Sequence, residues 1–221
     1  MRLIHVLQVP CGTEWRHPSV LQDEAGLVLV DCPDPGTFPA LRQAFENQSL
    51  RIADVRAILI THHDYDHIGT LAQMLEANPK AQVYASGAEA PYIIGEKAPR
   101  RFPGAMSGVL PARVDTVVTD GARLPWCGGA KVILTPGHTP GHLSLYLSEE
   151  KTLVAGDALY ISDGELRAAD PRFTADMPAA IRSIRKLLDY DIARVICYHG
   201  GMLEGGIRQR LLRVLEGAQG C

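Results

Sequence analysis

The chain alternates between short apolar runs and turn-forming punctuation, and that rhythm predicts its elements. Leu3 to Val9 and Leu27 to Asp31 (LVLVD) are apolar runs closed by CGT and CPDPG, which predicts strands. Thr37 to Asn47 places Phe38, Leu41 and Phe45 on one side of an amphipathic helix. Val55 to Ile60 (VRAILI) has the continuous apolar character of a buried strand, Ile68 to Ala77 predicts a helix, and Gln82 to Ala85 another strand. Residues 97–113 hold three prolines, two glycines and three arginines, which predicts a loop; Arg100, Arg101 and Phe102 are read as its surface. Four further strands are predicted at Val114 to Thr119, Ala130 to Thr135, Leu143 to Leu147 and Thr152 to Ala155. Asp176 to Leu188 predicts a helix with Asp176 as N-cap and Pro178 in its first turn. Arg194 to Tyr198 (RVICY) predicts a strand and Ile207 to Leu215 a last helix. The order β-rich, α, β-rich, α predicts an α+β protein, sheets with helices packed outside.

Composition narrows the class. A chain of 221 residues, 46% hydrophobic and 21% charged, is expected to form a single domain over 1–221 with a sizeable core. The net charge is −3 and no run of Lys or Arg exceeds two, so no nucleic-acid footprint is expected. No apolar run approaches the ~20 residues that span a bilayer, so no membrane partner is expected either. The opening MRLIHVLQVPCG makes a poor signal peptide and a better first strand. Five widely separated cysteines without a CxxC argue against a disulfide framework or a cysteine zinc site, and a reducing cytoplasm is the expected location.

The chemistry gathers at the ends of apolar strands. Three of the eight histidines and two aspartates fall inside His62-His63-Asp64-Tyr65-Asp66-His67, directly after VRAILIT. His138 follows KVILTPG, Asp157 follows TLVAG, and His199 follows RVICY. Strand ends that present His and Asp to one edge are how a sheet scaffold builds a site. The candidate ligands are His62, Asp64, Asp66, His67, His138, Asp157 and His199. Imidazole and carboxylate donors suit zinc, iron or manganese. Seven donors exceed what one ion needs and suit two divalent ions that share a bridging carboxylate. His63 sits between candidates but points the opposite way by backbone alternation. His142 is read as a supporting or core residue, and His5 and His17 as incidental.

The motifs THHDYDHIG, TPGHTPGH, LVAGDALY and CYHGG, in this order, resemble those of the metallo-β-lactamase fold superfamily, from about Leu27 to the C-terminal helix. The resemblance implies an αββα sandwich, two mixed sheets packed face to face with helices outside, carrying a dinuclear site at one edge. It implies one ion on His62, Asp64, His138 and Asp157, a second on Asp66, His67, Asp157 and His199, and Asp31 supporting the site without binding metal. The family's second motif histidine is Asp64 here. Zinc is the expected metal; a carboxylate is harder than imidazole, which weakens the preference for zinc and admits manganese or iron. The implied activity is hydrolysis of a small ester-like substrate (lactone, ester or thioester) by a metal-bridging hydroxide, with Asp66 orienting the nucleophile. Tyr160, three residues beyond Asp157, matches a tyrosine that lactonases of this superfamily set against the substrate carbonyl; packing beside the sheet is the other reading. Trp15 falls where relatives place a substrate-contacting loop.

Three functions are set against each other. The leading one is a dinuclear hydrolase of a small molecule, with a homodimer as its expected assembly. A mononuclear iron enzyme similar to the persulfide dioxygenases would need His62, His138 and Asp157 without the full second set. A non-catalytic ligand-binding module would bind small molecules without turnover. Relatives similar to glyoxalase II carry a helical region after the last histidine, where 22 residues follow His199 here.

Overall fold

The computed structural model describes residues 2–98 and 107–218, so Arg100, Arg101 and Phe102 lie outside the described residues. The chain divides into two compact units, Met1–Val118 and Thr119–Cys221.

The first unit holds strands β1 (Leu3–Val6), β2 (Val9–Cys11), β3 (Glu14–Arg16), β4 (Ser19–Asp23), β5 (Gly26–Val30), β6 (Val55–Leu59), β7 (Gln82–Ser86) and β8 (Thr116–Val118). Its helices are α1 (Phe38–Asn47), α2 (Tyr65–Ile68), α3 (Leu71–Ala77) and α4 (Ala90–Ile93). Six strands form a mixed sheet in the order β1-β4-β5-β6-β7-β8, antiparallel up to β5 and parallel from β5 to β8. The parallel strands are the ones with near-continuous apolar runs, as expected for strands buried on both faces. Leu27, Leu29, Ile58 and Val83 pack with Leu41 and Phe45 of α1 and Leu71 and Met74 of α3, while the alternating Val28, Val30 and Leu59 are buried as well. β2 and β3 form a separate hairpin.

The second unit holds β9 (Arg123–Leu124), β10 (Ala130–Leu134), β11 (Leu143–Leu147), β12 (Thr152–Val154), β13 (Leu159–Ser162), β14 (Glu165–Ala168), β15 (Arg194–Cys197) and β16 (Gly201–Glu204), with helices α5 (Met177–Leu187) and α6 (Ile207–Gly217). Its sheet runs β16-β15-β12-β11-β10-β9, antiparallel except for the parallel β12–β15 pair. Ile184 and Leu187 of α5 and Ile207, Leu211 and Leu215 of α6 pack with Leu153, Val195 and Cys197 of this sheet. β13 and β14 form a second separate hairpin.

The α+β class and two mixed sheets agree with the sequence reading, as do most strands. Asp176 caps α5, its Oδ1 accepting the Ala179 N–H at 2.9 Å. The helix expected over Ile68 to Ala77 is two helices instead. Gly69 between them lies so close to the backbone of Asp34 and Pro35 that a Cβ would collide with Pro35 N, and the chain steps aside there. The strand Ser19–Asp23 and the short strands at Arg123, Glu165 and Gly201 carry no long apolar run, and pairing with their neighbours makes them strands. Among the described residues, no helix is long and apolar enough to cross a membrane.

Phe45 is 1% exposed in the first unit's core, whereas Val117 on the edge strand β8 is 57% exposed. Phe45→Ala is expected to cost about 3–5 kcal/mol in chemical denaturation. Val117→Ala is expected to stay within about 0.5 kcal/mol in the same experiment.

Candidate metal centre

In the first unit, β6 delivers Thr61 and His62 to the edge of the sheet, both with no solvent exposure. The neighbouring strand β5 leads directly into Asp31, which takes a left-handed φ of 67°. That turn aims its buried carboxylate along the edge. Oδ1 accepts the Thr61 N–H at 2.8 Å, and Oδ2 accepts the Thr61 hydroxyl at 2.8 Å and lies 2.9 Å from His67 Nδ1. Counting protons fixes both rings. The Thr61 hydroxyl gives its only proton to Asp31, so it accepts from His62 Nδ1 at 3.0 Å. His67 likewise donates from Nδ1 to Asp31. Both imidazoles therefore keep the lone pair on Nε2, the tautomer a metal ligand needs. The rings lie close, with centroids 4.0 Å apart at 48°.

Asp64 caps the short helix α2, its carbonyl accepting the His67 N–H at 2.8 Å. Asp64 Oδ2 stands 3.7 Å from His62 Nε2. Asp66, inside that helix, has Oδ2 at 3.3 Å from the Arg16 guanidinium, which also binds Asp34 at 3.0 Å and Glu14 at 2.7 Å. Arg16 is buried in the β2–β3 hairpin beside Trp15, which is 53% exposed. His63 turns away from this group, towards Glu89 and Tyr92.

In the second unit, the loop after β10 is clamped onto α5. Ser183 donates to the Pro136 carbonyl at 2.7 Å, Asp176 N–H to the Gly137 carbonyl at 2.9 Å, and Ala175 N–H to the His138 carbonyl at 3.2 Å. Gly137 permits this approach: at φ 141° it has no Cβ, and one there would strike the Ala180 backbone. His142 has both ring nitrogens engaged. The Asp157 N–H donates to its Nε2 at 2.9 Å, and its Nδ1 meets Thr135 Oγ1 at 2.8 Å. The Thr135 hydroxyl donates to Ser144 Oγ at 3.0 Å, and Ser144 donates to the Ala155 carbonyl at 3.0 Å. This chain of donors leaves His142 no role as a ligand and sets the backbone of the turn Gly156–Ala158 that carries Asp157. Asp157 Oδ2 lies 3.6 Å from His138 Nε2 and 3.2 Å from His199 Nε2. Tyr160 is half-buried on β13, directly across from Arg167 of β14.

The donor sets fit a cation. Within the His62–Asp64 pair, and within the His138–Asp157 pair, the facing atoms stand beyond hydrogen-bond range. Two donors about 2.1 Å from one tetrahedral ion stand roughly 3.4 Å apart. The nearby thiols are no competitors: burial pushes Cys197 and Cys32 well up, and burial with a hydrogen bond to Asp34 pushes Cys11 up to about 12. They stay protonated at neutral pH. Arg16, Glu89 and the Thr135–Ser144 pair escaped the sequence reading because nothing local marks them. Thr61 had one signal, its place just before His62.

Thr61→Val keeps the shape of that side chain and removes its hydroxyl. Leaving His62 Nδ1 and Asp31 without that partner is expected to cost about 1–3 kcal/mol, measured by denaturant unfolding.

A family model described as the Metallo-beta-lactamase superfamily matches residues 16–199. Over 204 residues the chain is 32% identical to the probable metallo-hydrolase YflN of Bacillus subtilis, covering 80% of this chain and 76% of that protein. It is also 32% identical over 179 residues to a hydroxyacylglutathione hydrolase of Synechococcus sp., covering 78% of this chain and 62% of the relative. The crystal structure of a metallo-beta-lactamase family protein from Thermus thermophilus matches with a TM-score of 0.81 at 24% identity, covering 98% of this chain and 79% of that one. That likeness establishes a common fold, and the match over residues 16–199 runs through every strand-end motif from Asp31 to His199. The chain belongs to the metallo-β-lactamase superfamily.

Proposed function

We propose that the two sets of strand-end ligands serve one dinuclear centre, and that this metal-dependent hydrolase opens a small ester-like substrate: a lactone, ester or thioester. In this reading His62, Asp64, His138 and Asp157 hold one divalent cation, and Asp66, His67, Asp157 and His199 hold the second. Zinc is the proposed metal, with manganese or iron admitted by the carboxylate of Asp64. The observation that carries the reading is Asp157, whose single oxygen Oδ2 is near the Nε2 atoms of both His138 and His199, at 3.6 Å and 3.2 Å. A bridging carboxylate needs such a place.

Bound cations of this kind lower the pKa of coordinated water towards ~7 and polarise a carbonyl oxygen. The chain supplies the rest. Asp31 and Thr61 take up the Nδ1 atoms of His62 and His67 and so leave their Nε2 atoms for a cation. Arg16 holds one oxygen of Asp66, which limits the rotation of that carboxylate and suits it to orienting the nucleophile. The Tyr160 hydroxyl is a donor suited to the substrate oxygen as negative charge develops there. The hydroxyacylglutathione hydrolases among the relatives support an acyl substrate. The chain spans 62% and 50% of the length of two of them, so their substrate is one candidate among several.

Elemental analysis of untagged protein is expected to find two ions per chain, and a panel of lactones, aryl esters and thioesters is expected to show metal-dependent turnover. Asp157→Ala is expected to lower metal content and reduce turnover by roughly a thousandfold or more; full retention of both ions would sink the ligand assignment. A single iron with oxygen uptake would replace hydrolysis by oxygenation. Asp64→His exchanges a hard donor for a softer one, and is expected to raise zinc affinity relative to manganese about tenfold in a competition titration.

A further inference from the structure

Glu89 is a carboxylate with no solvent exposure that the hydrolytic chemistry leaves unused. It sits just before α4, at the exit of β7, and reaches back to the histidine motif. Its Oε2 accepts the His63 backbone N–H at 3.0 Å and also meets His63 Nδ1. His63 is 7% exposed and lies flat on Tyr92, with ring centroids 4.0 Å apart at 11°. Burying an ionisable carboxylate is costly unless it is paired, and an apolar pair would fill the same space more cheaply. The position of the pair supplies the reason for keeping it. β6 lies between β5 and β7 in the sheet. At its exit, the Thr61 N–H is held by Asp31 from the β5 side and the His63 N–H by Glu89 from the β7 side. Two carboxylates from the flanking strands thus bracket the single residue His62, and the second of them fixes the backbone immediately before Asp64.

We propose that Glu89 is a positioning residue for the metal centre. By gripping both the backbone and the ring of His63, it turns that side chain to the rear and so aims His62 and Asp64 forward at the cation. The inference rests on the reading that His62 and Asp64 bind metal. It acts through His63, which is not among the proposed ligands.

The test measures zinc affinity of the full chain by competition with a chromophoric chelator, together with the visible spectrum of the cobalt(II)-loaded protein. Far-UV circular dichroism confirms folding of each variant. Glu89→Ala is expected to weaken zinc binding about tenfold or more and to shift the cobalt bands. Glu89→Gln, whose amide oxygen still accepts the His63 N–H, is expected to recover affinity to within about threefold of the parent. His63→Phe keeps the stack on Tyr92 and removes the ring partner of Glu89; it is expected to shift the cobalt spectrum in the same sense. If Glu89→Ala does not fold, His63→Phe decides. Parent-like affinity and spectrum in the deciding variant overturn the role of Glu89 while leaving the ligand assignment intact. A parent protein that binds neither zinc nor cobalt overturns the ligand assignment and this inference together.

Discussion

A buried imidazole can offer one nitrogen to chemistry only when the other has been committed to the protein, and much of the architecture around the strand ends serves that condition. Asp31 and Thr61 commit the Nδ1 atoms of His62 and His67 through a short relay whose every proton can be placed. The relay works because β5 and β6 are adjacent and parallel, so that both strands end on the same edge and residue 31 meets residue 61. The continuous apolar runs that form these strands therefore fix the site as well as the core. The second unit solves the same problem differently. There a hydroxyl pair and a non-ligating histidine, Thr135, Ser144 and His142, fix the backbone of Asp157 and leave its carboxylate to face two imidazoles.

Much of this is legible in the sequence because it follows local rules. The runs LVLV, VRAIL and RVIC are strands by composition alone, and the clustering of His and Asp immediately behind them places the chemistry at an edge. What the sequence hides is decided across distance. Arg16 meets Asp66 fifty positions away, Ser183 reaches Pro136 over 47, and Glu89 reaches His63 over 26. None of these residues carries a local pattern, since a lone arginine or glutamate is by default a solvated surface group. The strand Ser19–Asp23 is equally invisible: its own apolar content is slight, and it is a strand because β1 and β5 pair with it on either side.

The TPGH loop shows how a glycine and a helix start combine. α5 begins with a capped turn and a proline, which leaves its first residues close enough to accept the loop only if position 137 lacks a side chain. The backbone carbonyls of Gly137 and His138 are then taken up by the N–H groups of Asp176 and Ala175, so two of the three clamps on the loop join main chain to main chain, the third being the Ser183 hydroxyl on Pro136. Such an anchor tolerates changes in the surrounding residues while keeping His138 in place.

Asp31 has a different consequence, for how the chain can vary. Its backbone lies in a region open chiefly to glycine, asparagine and aspartate. Its side chain must accept at both oxygens at once. Glycine meets the first demand and offers no acceptor; asparagine meets it and turns one acceptor into a donor. Glutamate supplies the acceptors without the backbone. Position 31 is therefore far more constrained than an exposed one such as Val117 of β8, where a side chain can change without touching the core or the strand ends.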